Sequence, residues 1–245
     1  MHRTARVFSS VGAVAFAIGL YLWFFGVQTV LALKARSLGR RTPFLKARLA
    51  ALSDLSVSRT PGTILSYFGY RFEVPWDDVD EVKTRIVGGD TALIAFRSGN
   101  TLALGNGMPH DLVNAALVTY QMDREWFRRL YGDAALQSDY VFQRMMLEST
   151  PDQITPIMSK RRATSQTMLL LMKNLFSSQD PISSMFSVHA SDLNGFEMVR
   201  QGTSPVKFSV ELYSDTGLLN FLFIQDGSTA ISQSDVNRVL QTLHQ

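Results

Sequence analysis

The residues of this chain that could carry out chemistry are its four histidines and its clustered carboxylates. The histidines are scattered, and no two have the H-x-x-x-H spacing that places two imidazoles on one face of a helix: His2, His110, His189 and His244. The chain has no cysteine, which excludes disulfides, thiolate metal ligands and a thiol nucleophile. The histidines therefore predict neither a catalytic site nor a metal site.

The densest group of acids is the segment DDVDE, which contains Asp77, Asp78, Asp80 and Glu81. Carboxylate oxygens bind hard cations, but this segment lacks the ligand spacing and the glycine of a calcium-binding loop. Acids that follow a strand more often cap the first turn of a helix and interact with its dipole. We interpret the cluster as a solvated cap, and the sequence predicts no metal and no cofactor.

Motifs for phosphate binding and for a serine nucleophile do not occur in the sequence. The glycines at 88–89 and 105–107 fit neither a P-loop nor a dinucleotide fingerprint, and there is no G-x-S-x-G elbow. We therefore name no catalytic residue, and a non-enzymatic role is favoured over an enzyme.

One segment has the composition of an interaction site. In KRRATSQTMLLLMKNLF, residues 160–176, three cations precede an apolar run that is too short to span a bilayer. Such a run can lie in a membrane interface or cover an apolar ligand. An apolar run around most of a helix is more typical of a core helix, which is the favoured interpretation. The candidates for ligand or membrane contact are Met168, Leu171, Met172, Leu175 and Phe176.

The element that would position any site is an N-terminal hydrophobic segment. It runs without a charge from Val7 to Leu33. This length exceeds the roughly 20 residues that cross a hydrocarbon core of about 30 Å. A signal peptide would have an apolar region of only about 7 to 15 residues, so we predict an uncleaved transmembrane helix. Small residues form one stripe, which reflects either the abundance of glycine in such helices or a homodimer through Gly12, Ala15, Gly19 and Gly26.

Positive charges follow the span with no acid among them, at Lys34, Arg36, Arg40, Arg41, Lys46 and Arg48. The bias of Lys and Arg sets orientation, and it favours a cytoplasmic over a periplasmic domain at a bacterial inner membrane. Arg3 and Arg6 before the span oppose this orientation. The six cations are either a simple flank of the span or a patch that binds anionic lipid head groups.

The remainder of the chain is acidic. Residues 49–245 hold 16 Lys and Arg against 21 Asp and Glu, a net charge of −5, although the whole chain has a net charge of +3. An acidic domain has no electrostatic footprint for a phosphate backbone, which argues against nucleic acid. We predict a tail at 1–6, a transmembrane helix at 7–33, a basic flank and linker at 34–63 and one globular domain at 64–245.

Residue patterns in this domain change in blocks. YRFEVPW alternates with a period of two, and TALIAF and TLAL on either side of RSGN predict a hairpin. Helical spacing follows from residue 109 to about 178, then strands return, and Ser232 and Asp235 predict the cap of a last helix. This order predicts an α+β fold with a mainly antiparallel sheet.

Three segments carry a resemblance. LSYFGYRFEVPWDDVDE, YGDAALQSDYVFQRMMLE and ISQSDVNRVLQTLHQ resemble a group of bacterial membrane-anchored proteins of no assigned function, and the resemblance implies no catalytic residue. The order of elements is also loosely similar to a PsbP-like α/β/α sandwich, which bears on fold alone.

The sequence thus favours a membrane-anchored, non-catalytic domain that binds an unidentified protein partner. The alternative is a carrier or sensor of an apolar ligand or lipid at the membrane surface, with residues 168–176 and the aromatic strand as pocket walls. A hydrolase would need a nucleophile and a base that the sequence does not suggest.

Overall fold

The computed structural model describes residues 2–53, 55–108, 111–177, 182–200, 202, 205–214, 217–227 and 229–245. The α-helices are α1 (His2–Arg41), α2 (Asp111–Thr119), α3 (Arg124–Tyr131), α4 (Asp133–Gln137), α5 (Asp139–Glu148), α6 (Lys160–Ser177) and α7 (Gln233–Thr242). The strands are β1 (Ala50–Ala51), β2 (Thr63–Tyr67), β3 (Tyr70–Val74), β4 (Arg85–Val87), β5 (Thr91–Ala95), β6 (Asn100–Gly107), β7 (Ile182–Ala190), β8 (Leu193–Arg200), β9 (Val206–Tyr213) and β10 (Leu218–Gln225).

The chain divides into two compact units. Unit 1 consists of Met1–Lys46 and Ser149–Leu175, and unit 2 consists of Ala47–Glu148 and Phe176–Gln245. The globular region predicted at 64–245 therefore contributes residues to both units.

Unit 1 is built on α1, which has 40 residues. At 1.5 Å per residue it is about 60 Å long, twice the thickness of a hydrocarbon core of about 30 Å. The helix continues beyond Leu33 through the first cations of the flank, because Lys and Arg are good helix formers. From Gln28 onward one side is buried, at Gln28, Ala32 and Ala35.

Two short 3₁₀ helices pack beside the end of α1, at Pro43–Lys46 and Pro151–Gln153. The second has a capping box, in which the Thr150 N–H donates to Gln153 Oε1 at 3.0 Å. A Cβ on Gly39 would lie 2.5 Å from Pro151 Cγ, so a glycine allows this close approach. On α6, Lys173 is fully buried, and its Nζ donates to the Ser149 carbonyl at 3.0 Å.

Unit 2 contains an eight-stranded sheet with the order β1-β7-β8-β9-β10-β6-β5-β4. All neighbouring strands are antiparallel except β1 and β7. The predicted α+β class with a mainly antiparallel sheet is confirmed. The hairpin predicted around RSGN joins β5 to β6, and Gly99 has the positive φ of 94° that this turn requires.

One face of the sheet carries the main apolar core of unit 2, which also includes α7 and the separate β2–β3 pair. The Phe72 ring meets Phe221 edge to face at 5.4 Å. The end of the chain pairs with β3, where the N–H of Arg71 donates to the His244 carbonyl at 2.8 Å. The predicted cap at Ser232 is present, and the apolar side chains of the last helix and its C-cap are buried: Val236, Val239, Leu240 and Leu243.

Short helices cover the other face of the sheet. Asp123 caps α3, since its Oδ1 accepts from the Trp126 N–H at 2.6 Å. Ser138 caps α5 by accepting from the Val141 N–H at 3.3 Å. Tyr140 at the start of α5 stacks on Phe196 of β8, with centroids 5.1 Å apart. Both faces of the sheet are therefore protected from solvent along much of its length.

Candidate functional site

One helix of the described chain, Ile18–Arg41, is long and apolar enough to cross a membrane. Its large apolar side chains are exposed, with Trp23 85% and Phe24 63% exposed. A Cβ on Gly19 or Gly26 would meet nothing within 4 Å, so this part of the predicted stripe is open. The side chains of Val7, Gly12 and Ala15 lie outside the described residues.

All six cations of the flank are exposed: Lys34, Arg36, Arg40, Arg41, Lys46 and Arg48. The first four lie in α1 and the fifth ends the following 3₁₀ helix, so these five belong to unit 1, whereas Arg48 belongs to unit 2.

The predicted contact residues of α6 fall on different sides of the helix. Met172 is buried, whereas Leu171 is 43% and Leu175 58% exposed. Met168 is half-buried, and the side chain of Phe176 lies outside the described residues. The exposed pair at positions i and i+4 forms an apolar stripe, while the other side of the helix belongs to the core.

The described histidines have structural partners. Nδ1 of His189 lies 3.2 Å from Asn194 Oδ1, and His244 pairs through its backbone with β3. The side chain of His2 and all of His110 lie outside the described residues. Within the described chain, no group of three His, Asp or Glu side chains could hold a metal ion.

The DDVDE segment caps turns, not a helix. Asp78 Oδ2 accepts from the Ser98 N–H at 2.6 Å, and Asp80 Oδ1 accepts from the Val82 N–H at 3.2 Å. Lys83 forms an ion pair with Asp80 at 3.3 Å. The helix expected after this strand is replaced by a hydrogen-bonded turn, because the chain leads directly into the edge strand β4.

Two carboxylates in neighbouring central strands are shielded from solvent, Glu197 fully and Glu211 in part, and neither was predicted. Glu197 of β8 has the same strand phase as the core residues Leu193 and Val199, and it is 0% exposed. Its neighbours in β7 and β9 are Phe186 and Val210. Burial in these apolar surroundings raises the pKa of Glu197 to about 7, and neither of its carboxylate oxygens has a hydrogen-bond partner among the described residues. The sequence could have revealed Glu197, because it is an acid at a position that the alternation of the strand directs into the core.

Glu211 of β9 lies on the opposite face of the sheet, under α5. The Gln143 amide bridges two groups there: its Nε2 donates to Glu211 Oε2, and its Oε1 accepts from the Tyr213 hydroxyl. Burial raises the pKa of Glu211, and the hydrogen bond from Gln143 and the charge of Arg200 oppose the rise. The Tyr213 phenol has a raised pKa because of burial and of the charges of Glu211 and Asp139.

A polar cavity of about 200 Å³ opens beside this network. Its lining residues are Ser138 and Tyr140 at the start of α5, Asp192 and Asn194 at the β7–β8 turn and the start of β8, and Tyr213 and Ser214 at the end of β9. The rings of Tyr140 and Tyr213 have centroids 6.1 Å apart and are inclined by 55°. Tyr213 therefore connects the cavity with Glu211.

An apolar cavity of about 260 Å³ lies elsewhere in unit 2, between the segment after β1, β7 and α7. Its apolar lining is Ala51, Leu52, Leu55, Val188 and Leu240. Gln241 of α7 holds the covering segment by donating to the Leu55 carbonyl at 3.2 Å. None of residues 168–176 lines this cavity, and the aromatic side chains of β3 are instead buried in the core.

The last strand of the sheet, β4, presents an exposed edge. Its three residues pair with β5, from Arg85 opposite Leu93 to Val87 opposite Thr91, and no described strand pairs with its outer side. Two apolar side chains of this strand are exposed, Ile86 to 59% and Val87 to 45%, and Val82 in the preceding turn is 95% exposed.

No protein-family model, curated protein or solved structure matches the chain. The resemblance to bacterial membrane-anchored proteins and the similarity to a PsbP-like fold stay predictions.

Proposed function

We propose that the chain is a single-pass membrane protein whose unit 2 acts by binding an extended segment of a partner protein along β4. The observation that carries this proposal is the unpaired edge of β4, with Val82, Ile86 and Val87 exposed beside it. An open strand edge offers a row of N–H and C=O groups to an incoming chain, and neighbouring side chains provide selectivity.

Natural proteins usually protect such an edge with charges, proline or a covering loop. At β4 the edge carries Arg85, but both following residues are β-branched and apolar. Scattered exposed apolar residues are ordinary, whereas several at one strand edge are typical of an interaction surface. The proposed occupant is therefore an extended segment with apolar side chains in alternate positions.

The proposal is tested with a photo-reactive phenylalanine analogue at position 86 of the full chain in bacterial membranes. We expect crosslinks to one stretch of one partner, and we expect a peptide of that stretch to protect the β4 amides from hydrogen exchange. The matched control places the same analogue at Val118, which is 79% exposed on α2. Equal crosslinking from both positions, or a bound peptide that leaves the β4 amides unprotected, contradicts the proposal.

Anchoring by α1, with unit 2 in the cytoplasm, is part of the same proposal and rests on the six cations after the apolar segment. Reporters that work only in the cytoplasm or only after export are fused after Gln245. We expect only the cytoplasmic reporter to be active. Activity of the exported reporter alone would show that unit 2 lies on the other side of the membrane. The lipid-binding role of the cations and a homodimer through α1 stay predictions.

A second candidate function, carriage of an apolar ligand, is supported by the cavity of about 260 Å³. This volume is just below the roughly 300 Å³ at which small-molecule pockets begin, so it suits a small apolar group better than a whole lipid. Native mass spectrometry of the full chain released from detergent would detect such a ligand. The replacement Val188→Trp should abolish the adduct, and an adduct that survives it lies in another site.

A further inference from the structure

The polar cavity beside Tyr213 presents hydrogen-bond acceptors. The Tyr213 hydroxyl gives its proton to Gln143 Oε1, so the lone pairs of its oxygen remain for the cavity. Asp192 contributes a carboxylate that accepts only, and it makes no ion pair with any cation that the structure describes. Ser138 and Asn194 also offer donors in the lining, so a ligand that binds Tyr213 and Asp192 must donate hydrogen bonds to these two residues.

The electrostatic field at the cavity is negative. Glu211 and Asp139 both lie near enough to the Tyr213 phenol to raise its pKa by their charges. Arg200 offsets part of the charge of Glu211. Arg144 interacts with Tyr140 but is itself paired with Glu148 at 2.9 Å, and Asp192 adds another negative charge at the rim. An anion would be repelled here, and a cation would be attracted.

The aromatic lining also suits a cation. One face of the Tyr140 ring is covered by Phe196, whose ring is nearly parallel at 13°, and Tyr140 also lines the cavity. The Tyr213 ring stands at 55° to it, which gives the cavity two differently oriented aromatic walls. Aromatic walls with a nearby carboxylate are the arrangement that binds organic ammonium ions.

We propose that this cavity binds a small organic ammonium ion, which donates its N–H groups to Asp192 and to the Tyr213 oxygen and places its charge against the Tyr140 ring. The volume of about 200 Å³ admits an alkylammonium group and excludes a large ligand. This site is independent of the proposed β4 edge and would exist with or without a protein partner there.

The test uses the full chain in detergent micelles with ¹³C-labelled tyrosine and ethylammonium chloride as the probe. We expect saturable shifts of the Tyr140 and Tyr213 ring resonances with ethylammonium, and none with 1-propanol, which has a similar size and no charge, or with acetate. Asp192→Asn should weaken ethylammonium binding about tenfold or more, because it removes a charge-assisted hydrogen bond.

The control variant is Asp77→Asn, another exposed acid of unit 2 that does not line the cavity. It should leave the ethylammonium affinity unchanged. Tyr140→Phe keeps the ring and should retain binding, whereas Tyr140→Leu should lose it. Equal shifts with 1-propanol, or an affinity that Asp192→Asn and Asp77→Asn change alike, would overturn the proposal. Asp192 is exposed at a turn, so its replacement leaves the fold intact.

Discussion

Replacement of Glu197 by glutamine should stabilise unit 2 at alkaline pH and leave its stability unchanged at acid pH. The carboxyl group is fully buried between Phe186 and Val210, and burial raises its pKa from 4.5 to about 7. Glutamine has nearly the same shape and cannot ionise. The variant therefore isolates the energetic cost of charging a group inside the core.

The sign and size of the effect follow from linkage. Because the folded-state pKa of Glu197 is higher than the unfolded value, its contribution to stability is complete below pH 4.5 and is lost as the pH rises through 7. One pKa unit corresponds to about 1.4 kcal/mol, so the loss amounts to about 3 kcal/mol at pH 8. The difference in free energy of unfolding between variant and parent should grow from near zero at pH 4.5 to this value.

Urea unfolding of the full chain in detergent micelles measures this difference, with fluorescence of the buried Trp76 as the signal. Glu81→Gln removes an exposed carboxylate and is the matched control, for which little change is expected at any pH. A difference for Glu197→Gln that does not vary with pH, or a variant that is less stable than the parent at pH 8, would refute the reasoning.

Two further substitutions test the packing. A Cβ on Gly195 would lie 1.9 Å from the Glu211 carbonyl oxygen, whereas the nearest atom to a Cβ on Gly105 is 3.9 Å away. Gly195→Ala should therefore lower the melting temperature strongly and Gly105→Ala should not, and equal effects would contradict the close strand approach. Lys173→Ala should lower the melting temperature of unit 1, because it leaves a cavity and removes a donor from a buried carbonyl, whereas the exposed Lys160→Ala should not. Thermal scans of each pair provide the measurement.

The strands and caps could be predicted because their signals are local. The alternation in β3, the turn residues between β5 and β6 and the capping box at Ser232 depend on residues a few positions apart. The same holds for the order of strand and helix blocks, which was enough to predict the α+β class.

The assignment of residues 149–175 to the unit that contains α1 could not be predicted, because it depends on contacts between distant parts of the chain. Glu211 was missed for a similar reason. It shares the strand phase of Lys207 and Ser209, which a sequence pattern assigns to solvent, but α5 lies over that face and its Gln143 donates to Glu211. Alternation shows which face is apolar and gives no information about a polar face that another element covers.

The two proposed binding sites are far enough apart in unit 2 to be tested independently. The cavity lies at β8 and β9, and β4 is four strand positions from β9 in the sheet order. At about 4.8 Å per strand this is about 19 Å, beyond the distance of about 7 to 10 Å within which substitutions usually interact. Asp192→Asn and Ile86→Lys should therefore have additive effects on stability. If ethylammonium nevertheless changes the affinity for a β4-bound peptide, the peptide must change the ethylammonium affinity by the same factor. Two equal factors that differ from one would show that the sheet couples the sites, whereas two factors of one would make them separate functions on one domain.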